Sequence, residues 1–134
     1  MKRGRARRGA KKIKKRCSVC GKSPLAATAE KKSPLCFTCY LKNAARVNLG
    51  SRRRWKELQR LLDQQAWKCP YTQTKLVLGK NASIDHKLPK SRYPDQRYDI
   101  QNVEWVEQRV NNMKNNMTKG EFLDLLSLIC ENQQ

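Results

Sequence analysis

Two sets of residues in this sequence have the types and spacing to do chemistry. The first surrounds the single histidine. His86 directly follows Asp85, Asn102 stands sixteen residues on, and Asn111 nine residues beyond that. A carboxylate and an amide oxygen aimed at one point make a hard oxygen site suited to Mg²⁺. A histidine beside it can serve as a general base near neutral pH. Taken alone, Asn111 reads better as solvated helix surface than as a site residue, because Asn112, Asn115 and Asn116 lie around it. The second set is Cys17-Ser-Val-Cys20 and Cys36-Phe-Thr-Cys39, with fifteen residues between the pairs. Two residues between thiolates let both sulfurs of a knuckle reach one tetrahedral ion at about 2.3 Å. Four thiolates close the shell, so the expected Zn²⁺ is structural and its binding contributes folding free energy. Cys69 and Cys130 have no such partner and read as small buried hydrophobes.

The elements that must position these groups share 134 residues, room for one compact domain or two very small ones. The apolar fraction is 38%, so the core is modest and a metal staple is useful. Lys and Arg number 30 against 11 Asp and Glu, a formal charge of +19. That excess opposes compaction and attracts polyanions, which makes nucleic acid the expected partner. A ribosome-like or acidic-membrane partner fits charge alone, but no basic amphipathic helix with a broad apolar face supports the membrane. No stretch approaches the roughly 20 apolar residues that span a bilayer, and no apolar segment follows the basic N-terminus. The expected location is intracellular and cytoplasmic, where paired CxxC motifs point to metal before disulfides.

Residues 1–16 hold ten Lys or Arg and no acid, and read as a disordered basic arm. Residues 17–50 form the zinc module, whose second cysteine pair opens a helix from Cys36 to about Asn48. Ser51 caps a helix over about 52–66 with Trp55, Leu58, Leu62 and Ala66 as its apolar stripe. Arg52, Arg53, Arg54, Lys56 and Arg60 lie around its other faces, as solvated charge or as a phosphate-facing surface. Short β-prone pieces follow at Lys75–Leu78 and Ala82–His86, then a polar loop from Pro89 to Tyr98. Val103–Val106 reads as a strand merging into a helix to about Asn116, with Val106, Val110, Met113 and Met117 on one stripe and Asn111 and Lys114 on a common polar face. Thr118-Lys-Gly-Glu121 is a capping box for a last helix with Phe122, Leu125, Leu126 and Ile129 as its buried face.

The runs Cys69-Pro-Tyr-Thr, Ala82-Ser-Ile-Asp-His86-Lys-Leu-Pro89, Asn102-Val-Glu-Trp-Val and Asn111-Asn-Met-Lys114 together resemble the HNH nuclease family, over about residues 68–117. The resemblance implies a small α+β fold: a ββα-metal core of two antiparallel strands and a helix, flanked by helices and preceded by the cysteine module and the arm. It implies Asp85 and Asn111 as ligands of Mg²⁺, Mn²⁺ or another divalent cation. His86 is then the base that deprotonates water, and Asn102 orients His86 and pins the loop between the strands. The implied activity is endonucleolytic hydrolysis of DNA to 5′-phosphate and 3′-hydroxyl ends, with Arg52, Arg53, Arg54, Lys87 and Lys114 on the nucleic acid. Asn111 stands where many members carry His. Members often have two CxxC pairs framing the ββα unit. Here only Cys69 remains, and Trp105, Val106 and Leu78 are expected to pack in their place. One active centre cuts one strand, so double-strand cleavage calls for a homodimer. A phage or mobile-element origin in a bacterial host fits length and charge. The competing readings are a non-catalytic, zinc-containing nucleic-acid-binding protein and a small ribosome-associated zinc protein. The latter leaves the Asp-His, Asn and Asn pattern unexplained.

Overall fold

A computed structural model describes residues 16–21 and 34–133. Apart from the exposed Arg16, the basic arm expected over 1–16 lies outside the described residues. So does the stretch 22–33 between the two cysteine pairs. Among the described residues the order is α1 (Phe37–Leu49), α2 (Trp55–Gln64), β1 (Ala82–His86), β2 (Val103–Glu107), α3 (Gln108–Lys114) and α4 (Lys119–Glu131). Short 3₁₀ turns precede α2 and β2. The fold is the small α+β class that the sequence predicts. Among the described residues no helix is long and apolar enough to cross a membrane.

The caps are local chemistry. Cys36 is the N-cap of α1, its sulfur accepting from the Cys39 N–H at 3.4 Å. Gly50 ends α1 at φ +77, and a Cβ there would meet the Tyr98 ring at 3.2 Å, so both backbone and space require glycine. Ser51 Oγ accepts from Arg53 N–H at 3.3 Å, and Thr118 Oγ1 accepts from Glu121 N–H at 3.1 Å.

β1 and β2 pair antiparallel, with Ile84 opposite Trp105 and Asp85 opposite Glu104. Period-2 alternation sends these two pairs to opposite faces of the sheet. On one face Trp105 packs in the core and its indole N–H reaches the Leu58 carbonyl of α2 at 3.0 Å. On the other, Asp85 and Glu104 meet lysines from α3 and α4. Gln65 treats β2 as a neighbouring strand would: its side chain donates to the Trp105 carbonyl at 2.7 Å and accepts from the Trp105 N–H at 2.9 Å. Leu41, Ala45 and Leu49 of α1, Leu58 and Leu62 of α2, and Leu76, Leu78, Trp105 and Val106 form one buried core. Cys69 is fully buried within it. Cys17, Cys36 and Cys39 form a second, separate cluster with Leu35.

Five expectations need correction. The α2 stripe does not extend to Ala66, which is exposed at φ 53 and with Trp67 (φ 57) turns the chain back. Lys75–Leu78 is not a strand: Lys75 makes one isolated bridge to Lys68, while the Asn81 side chain holds Val77 N and Lys75 O in a turn. Met113 is 59% exposed, because the covered face of α3 carries Val110 and Lys114 instead. Only the first part of α4 is covered: Phe122 is buried, Leu126 partly so, and Leu125 and Ile129 are exposed. Cys130, on the same uncovered end, is exposed too.

Candidate functional site

β1 carries Asp85 and His86 to the edge of a cavity of about 250 Å³. Asn48 from α1, Pro89, Lys90 and Ser91 from the loop after β1, and Asn111, Asn115 and Asn116 from α3 and its end close the rest. Asp85 is buried and His86 nearly so, at 4% and 8% exposure. The Asp85 Oδ1 atom takes a hydrogen bond from Lys114 Nζ at 3.1 Å. Its Oδ2 atom is buried with no partner among the described residues. Burial raises the Asp85 carboxyl above its ordinary value, and the Lys114 ammonium opposes that rise. A buried carboxylate oxygen left unsatisfied is costly unless something else meets it.

Asn111 donates both amide hydrogens inward, to Ser83 Oγ at 2.7 Å and to the Ile84 carbonyl at 3.2 Å. Its Oδ1 therefore remains as the atom a ligand can use. Asp85 and Asn111 line the same cavity, and a carboxylate with an amide oxygen is a hard donor pair of the kind that can hold a divalent cation with water completing the shell.

His86 Nε2 lies 2.9 Å from the Arg97 carbonyl. A carbonyl only accepts, so Nε2 carries the hydrogen and the basic lone pair falls to Nδ1 in the neutral ring. Burial lowers the His86 pKa, against an opposing contribution from the Arg97 carbonyl. That direction favours the neutral imidazole, the form that can act as a base. Asn102 is wholly occupied with the intervening loop. It donates to the Leu88 and Gln96 carbonyls at 3.0 and 3.2 Å and accepts from Leu88 N–H at 2.9 Å. Gln96 adjoins Arg97, so Asn102 bears on His86 through the backbone rather than by touching it.

The structure brings Asp85, His86 and Asn111 to one cavity and sets Asn102 behind them. The cationic set disperses. Arg54 pairs with Glu57 at 2.6 Å and donates to the Leu49 and Tyr98 carbonyls at 3.0 and 2.7 Å, so it straps the loop to the α1–α2 junction. Lys87 donates to the Gln101 carbonyl at 3.1 Å and lines a different cavity, with Arg60 and Glu57. Lys114, expected on an exposed polar face, is fully buried. Its neighbours Asp85 and the His86 carbonyl, brought close by the α3–β1 packing, account for that. Arg52 and Arg53 remain exposed and share an open groove with Lys42, Trp55 and Lys56. Sequence reasoning missed Asn48 and the Arg97 carbonyl, neither of which carries a local signal.

The second site is the cysteine cluster. The sulfurs of Cys17, Cys20, Cys36 and Cys39 all lie within 4.8 Å of one another, and Cys20 and Cys36 are 3.6 Å apart. A tetrahedral zinc with bonds near 2.3 Å separates its sulfurs by about 3.8 Å, so the cluster can hold that ion with small adjustment. Gly21, at φ +69, donates to the Cys17 carbonyl at 2.9 Å and turns the first knuckle. Ser18 N–H donates to the Pro34 carbonyl at 2.7 Å and ties the knuckle to the start of α1. The backbone N–H of Cys36 holds the Cys17 thiol down to about 6, while burial pushes the Cys39 thiol up to about 12. No protein-family profile and no curated protein matches this chain.

Proposed function

We propose that the chain is a metal-dependent endonuclease of the HNH kind acting on DNA, with a structural zinc in the four-cysteine cluster. One observation carries the reading: Asp85 Oδ2 is buried with no partner among the described residues, and Asp85 lines a cavity with His86 and Asn111. Asp85 Oδ2 and Asn111 Oδ1 would hold the cation. Bound there, it would offset the charge that develops on the scissile phosphate. His86 Nδ1 takes a proton from the attacking water, whose oxygen bonds to phosphorus as the bond to the 3′ oxygen breaks. The 3′ oxygen leaves with a proton from solvent, and the ends are a 5′ phosphate and a 3′ hydroxyl. The Arg97 carbonyl, positioned through Asn102 and Arg54, keeps the imidazole in the tautomer this requires. The exposed cations Arg52, Arg53 and Lys56, with the half-buried Lys42, would grip phosphates without reading sequence.

That basic groove shares no residue with the His86 cavity, which favours a second reading in which the chain binds nucleic acid without cutting it. Incubation of the full-length protein with supercoiled plasmid separates the two. Nicking that needs Mg²⁺ or Mn²⁺ and stops with chelator is the expected result. Retarded but intact plasmid at every metal concentration would leave only the binding reading.

A further inference from the structure

Lys114 is the most buried charge among the described residues, with 0% of its surface exposed. Its ammonium is 3.1 Å from Asp85 Oδ1 and 2.8 Å from the carbonyl oxygen of His86. One side chain thus anchors the carboxylate of one candidate catalytic residue and the backbone of the next. Burying an ammonium is costly unless it is paired and hydrogen-bonded, and here both conditions hold.

The segment that delivers Lys114 is itself pinned. Asn115 turns the chain at φ 48 directly after it. Ser91 Oγ lies 3.3 Å from Asn116 Oδ1, and Arg92 donates to the Asn116 carbonyl at 3.2 Å. Lys119 N–H donates to the Lys87 carbonyl at 2.8 Å, and its ammonium holds Glu104, the cross-strand neighbour of Asp85, at 3.1 Å. Two carboxylates directly opposite on a sheet repel. Each has its own lysine from the same short stretch of chain.

The consequence lies at Asp85. With Oδ1 engaged by Lys114, the carboxylate can offer a cation only Oδ2, the oxygen that has no partner among the described residues. We propose that Lys114 is the positioning residue of the metal site: it fixes Asp85 so that one oxygen alone is presented to a divalent cation. The inference rests on the nuclease reading above but concerns cation binding, which is measured without DNA. An ammonium beside the site also repels a cation. Its removal, however, leaves a buried carboxylate with no partner and no fixed orientation, and that loss dominates when one member of a buried pair is deleted.

The test uses the full-length protein and Mn²⁺ alone, followed by the loss of its free-ion electron paramagnetic resonance signal. The wild type should bind one Mn²⁺ that Asp85→Asn abolishes. Lys114→Met should weaken binding by about 10–100-fold, the usual effect of deleting a group that orients a metal ligand. Its plasmid cleavage should recover at high Mn²⁺, whereas a merely misfolded protein would not recover. If Lys114→Met does not fold, the wild-type protein still decides the matter. Its buried Lys114 ammonium resonance should shift on Mg²⁺ addition with the midpoint of Mg²⁺ binding. Wild-type affinity in a folded Lys114→Met, or an ammonium resonance indifferent to bound Mg²⁺, overturns the role of Lys114 and leaves the nuclease reading intact. Mn²⁺ binding unchanged in Asp85→Asn overturns both.

Discussion

At the cysteine cluster four sulfurs lie within 4.8 Å of one another, and a cation held there would have all four tetrahedral positions filled by protein sulfur. At the cavity of about 250 Å³ the lining includes one carboxylate residue, Asp85, and Asn111, and a cation held there would keep water and room for a phosphate. The first site draws on two short knuckles whose geometry is set by Gly21 and by the N-cap of α1. The second draws on β1 and α3, held by Lys114 and Asn111 across 27 to 29 residues of chain. The contrast is between an arrangement fit to stabilise and one fit to react: soft ligands in a closed shell, against hard ligands with positions left over. The packing repeats the division, since the cysteines form their own small cluster apart from the main core.

The largest effect that separates the two regions should come from His86→Ala. Plasmid nicking should fall by about 10²–10⁴, the range for loss of a general base. Zinc content and DNA affinity should not change, since His86 touches neither the cysteines nor the basic groove. Undiminished nicking by this variant would remove His86 from the chemistry.

Cys36→Ser with Cys39→Ser should act the other way. Elemental analysis should find one zinc per wild-type chain and none in the variant. Thermal unfolding should show an early loss confined to the N-terminal region, because Leu41, Ala45 and Leu49 keep α1 in the main core. Nicking at saturating DNA should stay within about tenfold of wild type, since no ligand of the Asp85 cavity lies in the cluster. Complete loss of nicking in a variant that retains the main core would show that the two regions are not separable.

The smallest effect concerns residues 1–16, none of which is proposed as a ligand or catalytic residue. Their removal should weaken DNA binding and flatten its salt dependence, the slope of log K against log salt falling by about 0.9 for each phosphate no longer neutralised. The cleavage rate at saturating DNA and low salt should persist. An unchanged slope would show that the arm does not engage DNA.

Much of both sites is legible in the amino-acid sequence. β1 has the bounds the sequence predicts, Ala82–His86, and the N-caps at Ser51 and Thr118 are formed as their side chains dictate. The four cysteines come together as their spacing requires. These features depend on interactions within a few residues, where side-chain type and backbone geometry decide the outcome. Lys114 marks the boundary of that legibility. A lysine on a polar helix face reads as solvated, and nothing within a turn of it indicates otherwise. Only the docking of α3 on β1 brings Asp85 and the His86 carbonyl to its ammonium. Arg54 is engaged in the same way, by the Tyr98 carbonyl 44 residues away. The exposed Leu125 and Ile129 show the converse, an apolar stripe that periodicity reads as buried and that no neighbouring element reaches among the described residues. Periodicity and spacing report what a segment can bury or bind. Which of those capacities is used depends on long-range packing, because the partners that compensate a buried charge or cover an apolar face come from distant parts of the chain.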